Sequence, residues 1–593
     1  MKKDGVLNVS RRAFLHTSMV AGAGASLGGA QAVAQAGQSR EEDERSIFDE
    51  ATIAGLQAAM AAGRLTAVEL TNHYLNRIQA VDERGPHLNS VLEINPDALA
   101  MAHAADSLRR QGRVLGPLHG IPILLKDNID TGDGMQTSAG SFALVGRPAL
   151  RDSTVAAKLR AGGAVILGKT NLSEWANFRS FHSSSGWSGR GGQSNNPYAI
   201  DRNPCGSSSG SGAAVSANLC VVALGSETDG SIVCPSSLSG VVGIKPTVGL
   251  TSRAGVVPIS HTQDTVGPHA RTVADAAAVL TVIASQTFDG RDAATGGVPL
   301  GRRGRGVRPA LPADYTQFVN PNGLRGARIG TTRQGIDGIQ DDTAAVFDAA
   351  LEAMTAAGAV LVDLDAAGFT FPPADGEFLV LVFDFKIDLK NYFATRSGVP
   401  MAGKTLADAI AFNNADAARE MPFFGQEIFE LAESIDISSP DAPQAAFGGM
   451  TYNQALAIDQ AAGATNGIDA ALDRFRISAI ATPTGSPAWT TDLINGDHFT
   501  FATSTIAAVV GYPIINVPMG NVFGLPVGIS FIGTAFSEPT LIRLGSGFER
   551  AVNARIVPHL FATLPLENVN GVPLTRRRGG RESEAGHRRH HSM

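Results

Sequence analysis

The first part of the chain has the apolar spacing of amphipathic helices. From Asp49 to Leu115, apolar residues recur at helical intervals, which is the pattern of helices with one buried face. Thr66 followed by Glu69 at the third position after it is typical of a capping box at a helix start, and Asp97 stands where another helix begins. We therefore predict a layer of helices ahead of the first strand.

Short apolar runs then alternate with helical segments along most of the chain. Each run has the length of one strand and is rich in aliphatic residues, which favours buried strands. The runs are Ile121–Leu125, Ala164–Leu167, Cys220–Leu224, Ala327–Gly330 and Ala359–Val362, followed by Ala479–Thr482, Ile514–Val517 and Val527–Phe531. Because strands that alternate with helices usually pair in parallel, the pattern predicts an α/β fold.

Two segments depart from this alternation. The stretch 286–313 is rich in Gly, Arg and Pro, and we expect it to be a surface insertion. The stretch 371–450 has a helical pattern and carries aromatic pairs such as Phe423-Phe424. Leu541–Val552 is predicted to close the fold as a helix.

The two ends of the chain differ in composition from the body of the chain at 47–565. Residues 1–34 contain Lys2-Lys3, the run S-R-R-A-F-L at 10–15, and an Ala/Gly-rich apolar stretch, which is typical of a twin-arginine signal peptide. The apolar stretch is short and weakly apolar for a membrane span, although an uncleaved anchor is the alternative. We expect a linker at 35–46 and a periplasmic or secreted protein without stable membrane association.

The C-terminal segment 566–593 is basic and rich in histidine. A disordered solubilising tail is the preferred interpretation, with metal or nucleic-acid binding as the alternative.

Composition narrows the classes of function. With 44% hydrophobic and 17% charged residues the chain is typical of a soluble globular protein, and a net charge of -7 without a dense basic face in the body argues against a nucleic-acid partner. The chain has no CxxC, HExxH or clustered His/Asp pattern, so we predict neither metal nor cofactor. Cys205, Cys220 and Cys234 allow at most one bridge within the chain and are interpreted as packing residues.

Two Gly/Ser-rich turns and one lysine carry the candidate chemistry. The first turn, P-C-G-S-S-S-G-S-G, covers 204–212; the second, E-T-D-G-S-I, covers 227–232; Lys126 ends the apolar run G-I-P-I-L-L-K. Amide hydrolysis by a serine needs a base for the hydroxyl and preset donors for the oxyanion. The apolar neighbours of Lys126 lower its pKa by desolvation, so that the neutral amine can act as that base.

The second turn is suited to hold the nucleophile, Ser231. Gly230 allows a close approach of the backbone to a substrate, and successive N–H groups in such a turn point at one position. We therefore predict an oxyanion hole built from the backbone N–H groups of Thr228, Asp229, Gly230 and Ser231. Ser207 would relay the proton between Ser231 and Lys126.

Three other interpretations are weaker. A Gly/Ser-rich run is often a linker, but here it leads directly into a helix-competent stretch and a buried strand. The run G-S-S-S-G also fits the nucleophile elbow of Ser-His-Asp hydrolases, yet loop residues with two prolines precede it where that elbow needs a strand. His119, His261 and His269 lie near these motifs, but lone histidines in turns are usually structural and receive no catalytic role.

These motifs resemble the core of the amidase signature family, whose members use a lysine, a relay serine and a nucleophilic serine in this order. Further segments are similar to the family, namely L-G-K-T-N at 167–171, G-V-V-G-I-K-P-T at 240–247 and Q-D-T-V-G-P at 263–268. Within the family, N-L-S-E-W-A-N-F-R at 171–179 and T-D-G-S-I-V-C-P at 228–235 are most similar to bacterial peptide amidases, which remove the C-terminal amide of peptides.

The resemblance implies one catalytic domain at 47–565 with α/β/α layers around a large mixed, mainly parallel sheet. It also implies a cis peptide bond between Gly206 and Ser207 and a helical cover at 371–450 over the active-site cleft. Ser183, Ser184 and Trp187 would face the substrate, although Trp187 is equally well explained as a core aromatic. Ser208 would join the substrate-binding and hydrogen-bonding network beside Ser207.

Two positions depart from the common family pattern T-G-G-S-I-R. Asp229 replaces a glycine, which is tolerable at negative φ. Val233 stands where carboxylate-binding members have an arginine, which favours a neutral or peptidic substrate. The first hypothesis is therefore an exported hydrolase that cleaves carboxamides to acid and ammonia through an acyl-serine. The alternatives are an aryl- or fatty-amide hydrolase, a component of a glutamine-dependent amidotransferase for charged tRNA, and a binding protein without catalysis.

Overall fold

The centre of the fold is a mixed sheet of eleven strands. The computed structural model describes residues 47–296, 308–336 and 339–565. The predicted signal peptide (1–34), linker (35–46) and tail (566–593) lie outside the described residues, as does the middle of the predicted insertion, 297–307. The described flanks of that insertion contain one short 3-10 turn, Ala293–Thr295.

Eight of the strands coincide with the apolar runs recognised in the sequence. They are β2 (Pro122–Lys126), β3 (Val165–Thr170), β6 (Val222–Glu227), β9 (Arg328–Thr331), β10 (Val360–Asp363), β11 (Ala479–Pro483), β12 (Ile514–Val522) and β13 (Leu525–Ile532). The remaining strands were not predicted from the sequence; they are β1 (Val91–Ile94), β7 (Val242–Lys245), β8 (Thr265–Ala270) and a separate small hairpin of β4 (Trp187–Ser188) with β5 (Gly192–Gln193).

The order of the strands across the sheet is β1-β3-β2-β6-β8-β7-β12-β13-β11-β9-β10. The mixed α/β architecture is confirmed, but the parallel share is smaller than predicted. Parallel pairing joins β3 to β2, β2 to β6, β11 to β9 and β9 to β10. In the middle of the sheet, the neighbours in the order β6-β8-β7-β12-β13-β11 all pair antiparallel. The sheet therefore has parallel blocks near both ends and an antiparallel centre.

Helices cover the sheet and extend beyond it. In chain order they are α1 (Ile53–Ala61), α2 (Ala67–Arg77), α3 (Ala98–Arg110), α4 (Thr154–Ala161), α5 (Ser209–Ser216), α6 (Val233–Leu238), α7 (Val273–Ile283), α8 (Asp341–Ala356), α9 (Glu377–Ala394), α10 (Leu406–Ala415), α11 (Ala417–Glu420), α12 (Glu427–Ser434), α13 (Tyr452–Gln460), α14 (Asp469–Phe475), α15 (Thr505–Ala508) and α16 (Glu538–Val552). The capping box of Thr66 with Glu69 is present at the start of α2. Among the described residues, no helix combines the length and apolarity that a membrane crossing requires.

The segment predicted to be helical at 371–450 holds α9 to α12 and has its own apolar core. Phe393 and Phe429 are fully buried there and pack against Trp175 from the loop after β3, and the fully buried Phe385 packs against Phe429. Burial of such aromatic side chains contributes roughly 1.5–3 kcal/mol each relative to exposure. This helical layer is thus a packed part of the fold rather than a loose cover.

Candidate active site

Lys126 is the last residue of β2 and is completely buried. Because β2 and β6 are parallel and paired, with Leu125 opposite Leu224, the ends of the two strands meet at the same edge of the sheet. Lys126 Nζ donates to Ser207 Oγ at 2.7 Å. It also contacts the end of β6, with Ser226 Oγ at 3.0 Å and the Ser226 carbonyl oxygen at 3.2 Å.

The surroundings of Lys126 suit a base. Burial lowers the pKa of Lys126 to about 7, although the negative charges of Asp264 and Glu227 act in the opposite direction. A lysine whose pKa lies near neutrality is present in both protonation states at physiological pH. It can therefore accept and return a proton during one turnover.

Ser207 lies in a buried turn, not in a linker. The Gly206–Ser207 peptide bond is cis, as the family resemblance implies. The following helix α5 is buried along its whole length. A Cβ at Gly206 would lie 2.1 Å from Ser173 Oγ, and one at Gly210 would lie 2.2 Å from the Ser90 carbonyl oxygen, so both positions need glycine.

The second turn brings Ser231 next to the first. The Ser231 carbonyl oxygen accepts a hydrogen bond from Ser208 N at 3.1 Å, which joins the two serine-bearing turns. Ser231 retains 7% of its surface accessible, whereas Ser207 retains 1%. Gly230 has φ +79, a left-handed conformation that favours glycine, while Asp229 does not adopt a positive φ.

The backbone of the second turn carries N–H groups without an acceptor. Within the described part of the chain, the N–H groups of all four predicted positions, Thr228, Asp229, Gly230 and Ser231, donate to no protein acceptor. Free N–H groups in consecutive positions are what an oxyanion hole requires.

The side chains of three residues of this turn hold it in place through hydrogen bonds. The Glu227 carboxylate accepts from Ile232 N at 2.7 Å and from Val233 N at 3.0 Å. Thr228 Oγ1 donates to Asp264 Oδ1 at 2.6 Å. The Asp229 carboxylate accepts hydrogen bonds from the hydroxyls of Ser504 and Thr505. These contacts fix the backbone that carries the free N–H groups.

The interpretation of the cysteines as packing residues was wrong for two of the three. Cys205 and Cys234 form a disulfide, and Cys220 is a buried free thiol. The fold places the two half-cystines 5.9 Å apart between Cα atoms, which is a normal span for this bond. Three cysteines allow one bridge, but the sequence carries no local signal for this pair, because the two cysteines come close only when the two turns meet.

The predicted substrate-facing residues divide into two groups. Ser208 is fully buried, and its hydroxyl donates to the Ser226 carbonyl oxygen at 3.0 Å, so it supports the network and is not part of a substrate surface. Ser183 and Ser184 are buried in the loop before β4, where Ser183 Oγ donates to the Ser180 carbonyl oxygen at 2.9 Å. Ser184 Oγ is buried as well and has no hydrogen-bond partner among the described residues.

Trp187 packs as a core aromatic. It is 5% exposed, and its ring makes edge contacts with Phe423 at 5.7 Å and Phe424 at 5.0 Å between ring centroids. The Arg179 guanidinium lies 5.7 Å from the ring centre. Of the two interpretations of Trp187, the contacts favour packing, and the aromatic pair at 423–424 joins the helical cover to β4.

Two residues beside Lys126 escaped the sequence analysis. Ser226 Oγ contacts Lys126 Nζ, and Asn128 Nδ2 donates to the same hydroxyl at 2.8 Å. Asn128 is two positions after Lys126, and Ser226 lies at the end of the neighbouring strand. Only the register of β2 against β6 could have pointed to them, and that register is not visible in the sequence.

The histidines near the motifs are buried or peripheral, as expected for structural residues. The His269 ring lies 2.8 Å from Ser236 Oγ, and burial, aided by the nearby Lys126 charge, lowers the pKa of His269 to about 3. His119 is fully buried, with its ring 3.0 Å from the Ala105 carbonyl oxygen.

Comparison with known proteins agrees with this geometry. The profile of the Amidase family matches residues 69–542. The chain belongs to the amidase signature family. A probable amidase of Arabidopsis thaliana is 40% identical over 544 residues, which are 89% of this chain and 95% of that protein. A glutamyl-tRNA(Gln) amidotransferase component of Chloroflexus aurantiacus is 34% identical over 510 residues, covering 84% of this chain and 96% of the relative.

Solved structures lead to the same family. A peptide amidase in complex with the competitive inhibitor chymostatin has 46% sequence identity and a TM-score of 0.79, and the match covers 87% of this chain and 100% of that one. The native peptide amidase from Stenotrophomonas maltophilia has 46% identity and a TM-score of 0.78, with coverage of 86% and 99%. The chain is thus an amide-hydrolysing enzyme of this family.

Proposed function

We propose that the protein is an exported serine amide hydrolase that removes the C-terminal carboxamide of peptides. The observation that carries the catalytic part is the 2.7 Å contact between Lys126 Nζ and Ser207 Oγ at the buried end of β2. A buried lysine with a pKa of about 7 against a serine hydroxyl is the arrangement needed for proton relay.

In this proposal neutral Lys126 takes a proton from Ser207, which takes one from Ser231 as Ser231 Oγ attacks the amide carbon. The free N–H groups of Asp229, Gly230 and Ser231 stabilise the negative oxygen that forms. The same relay returns the proton to the leaving nitrogen, and ammonia departs from the acyl-serine. Water, deprotonated by the same relay, then attacks the ester and releases the acid and free Ser231.

The choice of substrate rests on two observations. Val233 is 1% exposed and belongs to a buried apolar cluster, so the position that holds arginine in carboxylate-binding members offers no cation here. The peptide amidases at 46% identity support a peptidic amide as the substrate class. We therefore expect a neutral, peptidic substrate whose C-terminal carboxamide contains the scissile C–N bond.

Steady-state rates on three amides distinguish the peptide substrate from the aryl- and fatty-amide alternatives. We expect kcat/KM on an amidated dipeptide to exceed that on an acylanilide and on a long-chain fatty amide by at least about tenfold, that is about 1.4 kcal/mol of transition-state discrimination. The reverse order would replace the peptide proposal by the aryl- or fatty-amide alternative while leaving the hydrolase in place.

The amidotransferase alternative is favoured by the relatives at 34% identity. Amidation of glutamyl-tRNA with glutamine as nitrogen donor tests it directly. We expect ammonia release from peptide amides by the protein alone and no glutamine-dependent amidation of tRNA, because the cation for a substrate carboxylate is missing at Val233.

Export is proposed from the N-terminal segment alone. The run S-R-R-A-F-L at 10–15 supports the twin-arginine route. Replacement of Arg11 and Arg12 by lysine should retain the protein in the cytoplasm of a producing bacterium, as measured by fractionation and immunoblotting. Equal release of the variant and the unchanged protein would contradict the route.

A further inference from the structure

His261, Asp384 and Asp388 come together on the side of the helical cover, outside the Lys126 site. His261 lies in the loop that precedes β8, whereas the two aspartates lie one turn apart on α9. His261 Nδ1 is 2.9 Å from Asp388 Oδ2 and 3.5 Å from Asp384 Oδ1. Their sequence separation, 127 positions from His261 to Asp388, explains why no motif revealed the cluster.

Asp384 is the unusual member because it is completely buried. Its Oδ2 accepts from Ser260 Oγ at 2.6 Å and from Thr262 Oγ1 at 2.8 Å, so this oxygen is satisfied and the carboxylate is held in place. Its Oδ1 has no hydrogen-bond partner in the described ranges and faces His261 Nδ1. A buried carboxylate oxygen without a hydrogen bond is costly unless a cation balances it.

We propose that His261, Asp384 and Asp388 form a binding site for a divalent first-row metal ion, with Zn²⁺ as the preferred occupant. The three ligand atoms lie within 4.8 Å of one another. Tetrahedral zinc with bonds of about 2.0–2.1 Å separates its ligand atoms by about 3.3 Å, and the two distances from His261 Nδ1 bracket that value. One imidazole nitrogen with two carboxylate oxygens is a suitable ligand set for this ion.

The site is accessible, and space remains for a water ligand. His261 and Asp388 line a cavity of about 580 Å³, and the His261 side chain is 51% exposed. An ion can therefore enter this cavity from solvent and meet His261 and Asp388, with water completing its coordination. Asp384 does not line the cavity, and its Oδ1 lies 3.5 Å from His261 Nδ1.

The bound ion would have a structural role, separate from the Lys126 relay. It would tie α9 to the loop 260–264, and Asp264 in that loop accepts the hydrogen bond from Thr228 in the turn before Ser231. We expect zinc to raise the thermal unfolding midpoint without being required for turnover.

The test is calorimetric titration of ZnCl₂ into the EDTA-treated and dialysed full-length protein. His587, His590 and His591 of the tail are replaced by alanine in every sample, because these residues could bind zinc themselves. We expect one zinc per chain and an affinity at least about 100-fold lower after His261→Ala.

His498→Ala is the matched control, since His498 pairs with Asp492 at 3.1 Å in an exposed position that lacks the third ligand. This variant should bind zinc like the parent. Asp388→Asn provides a second ligand variant that leaves the buried Asp384 untouched and should also weaken binding. The proposal is overturned if the parent binds no zinc, or if the two ligand variants bind it as tightly as the control.

Discussion

Cys205 and Cys234 form a disulfide that joins the residue before Gly206 to the helix that follows Ser231. One half-cystine thus stands close to Ser207 and the other close to Ser231. The hydrogen bond from Ser208 N to the Ser231 carbonyl oxygen links the same two turns. The relative position of Ser207 and Ser231 is therefore held by a covalent bond as well as by packing.

Removal of this bond should destabilise the protein. The cysteines are 29 positions apart, and closing a loop of that size stabilises a folded chain by about 2–4 kcal/mol. The double variant Cys205→Ala/Cys234→Ala should unfold at a lower temperature, as measured by scanning calorimetry. A thiol reductant should lower the midpoint of the parent and leave that of the variant unchanged; an equal effect of the reductant on both would show that the bond contributes nothing.

The pH dependence of activity should follow the protonation of Lys126. The neutral amine is the form that accepts a proton, so kcat/KM should rise through about pH 7 and fall at lower pH as Lys126 becomes charged. Lys126→Arg keeps a cation that does not lose its proton and should lower kcat by about 10²–10⁴-fold with little change in KM. A pH profile without an acid limb between about pH 6 and 8 would speak against lysine as the base.

Ser226 should contribute through its contacts with Lys126 and Asn128. Ser226→Ala removes the hydroxyl 3.0 Å from Lys126 Nζ and 2.8 Å from Asn128 Nδ2. The loss of one hydrogen bond to a functional group costs about 1.4 kcal/mol, so kcat/KM should fall about tenfold. The apparent pKa on the acidic side of the pH profile, which we assign to Lys126, should also shift. A loss of activity without a shift of this pKa would indicate a merely structural effect.

Glu227 should act as a positioning residue for the turn of Ser231. Glu227→Ala leaves the N–H groups of Ile232 and Val233 without their acceptor, which costs about 1–3 kcal/mol in stability. We expect a lower kcat with a nearly unchanged KM, because the turn that binds the oxyanion loses its support. Glu227→Gln keeps a side-chain oxygen as acceptor and should recover most of the activity; no recovery would contradict the positioning role.

The sequence revealed the parts of the site that depend on local pattern. Lys126 at the end of an apolar strand, the two glycine turns and the helix after Ser207 all have local signatures, and the structure brings Lys126 and Ser207 into contact. The strands that were recognised are those with continuous apolar runs. β8, T-V-G-P-H-A, was missed because it contains proline, glycine and histidine in a buried antiparallel position.

The remaining features depend on contacts between distant segments. Ser226 reaches Lys126 only through the register of two strands, and Cys205 meets Cys234 only after both turns have folded. The antiparallel centre of the sheet likewise depends on long connections whose course no local pattern encodes. Contacts between distant segments can therefore be identified only once the pairing of the strands and turns is known.

Covalent labelling with a fluorophosphonate, followed by peptide mass spectrometry, tests the central assignment most directly. The account predicts a single label on Ser231 of the native protein, none after Ser231→Ala, and labelling of Ser231 that is at least about 100-fold slower after Lys126→Arg. Labelling on Ser207 or Ser208, or an unchanged rate without the lysine, would contradict it.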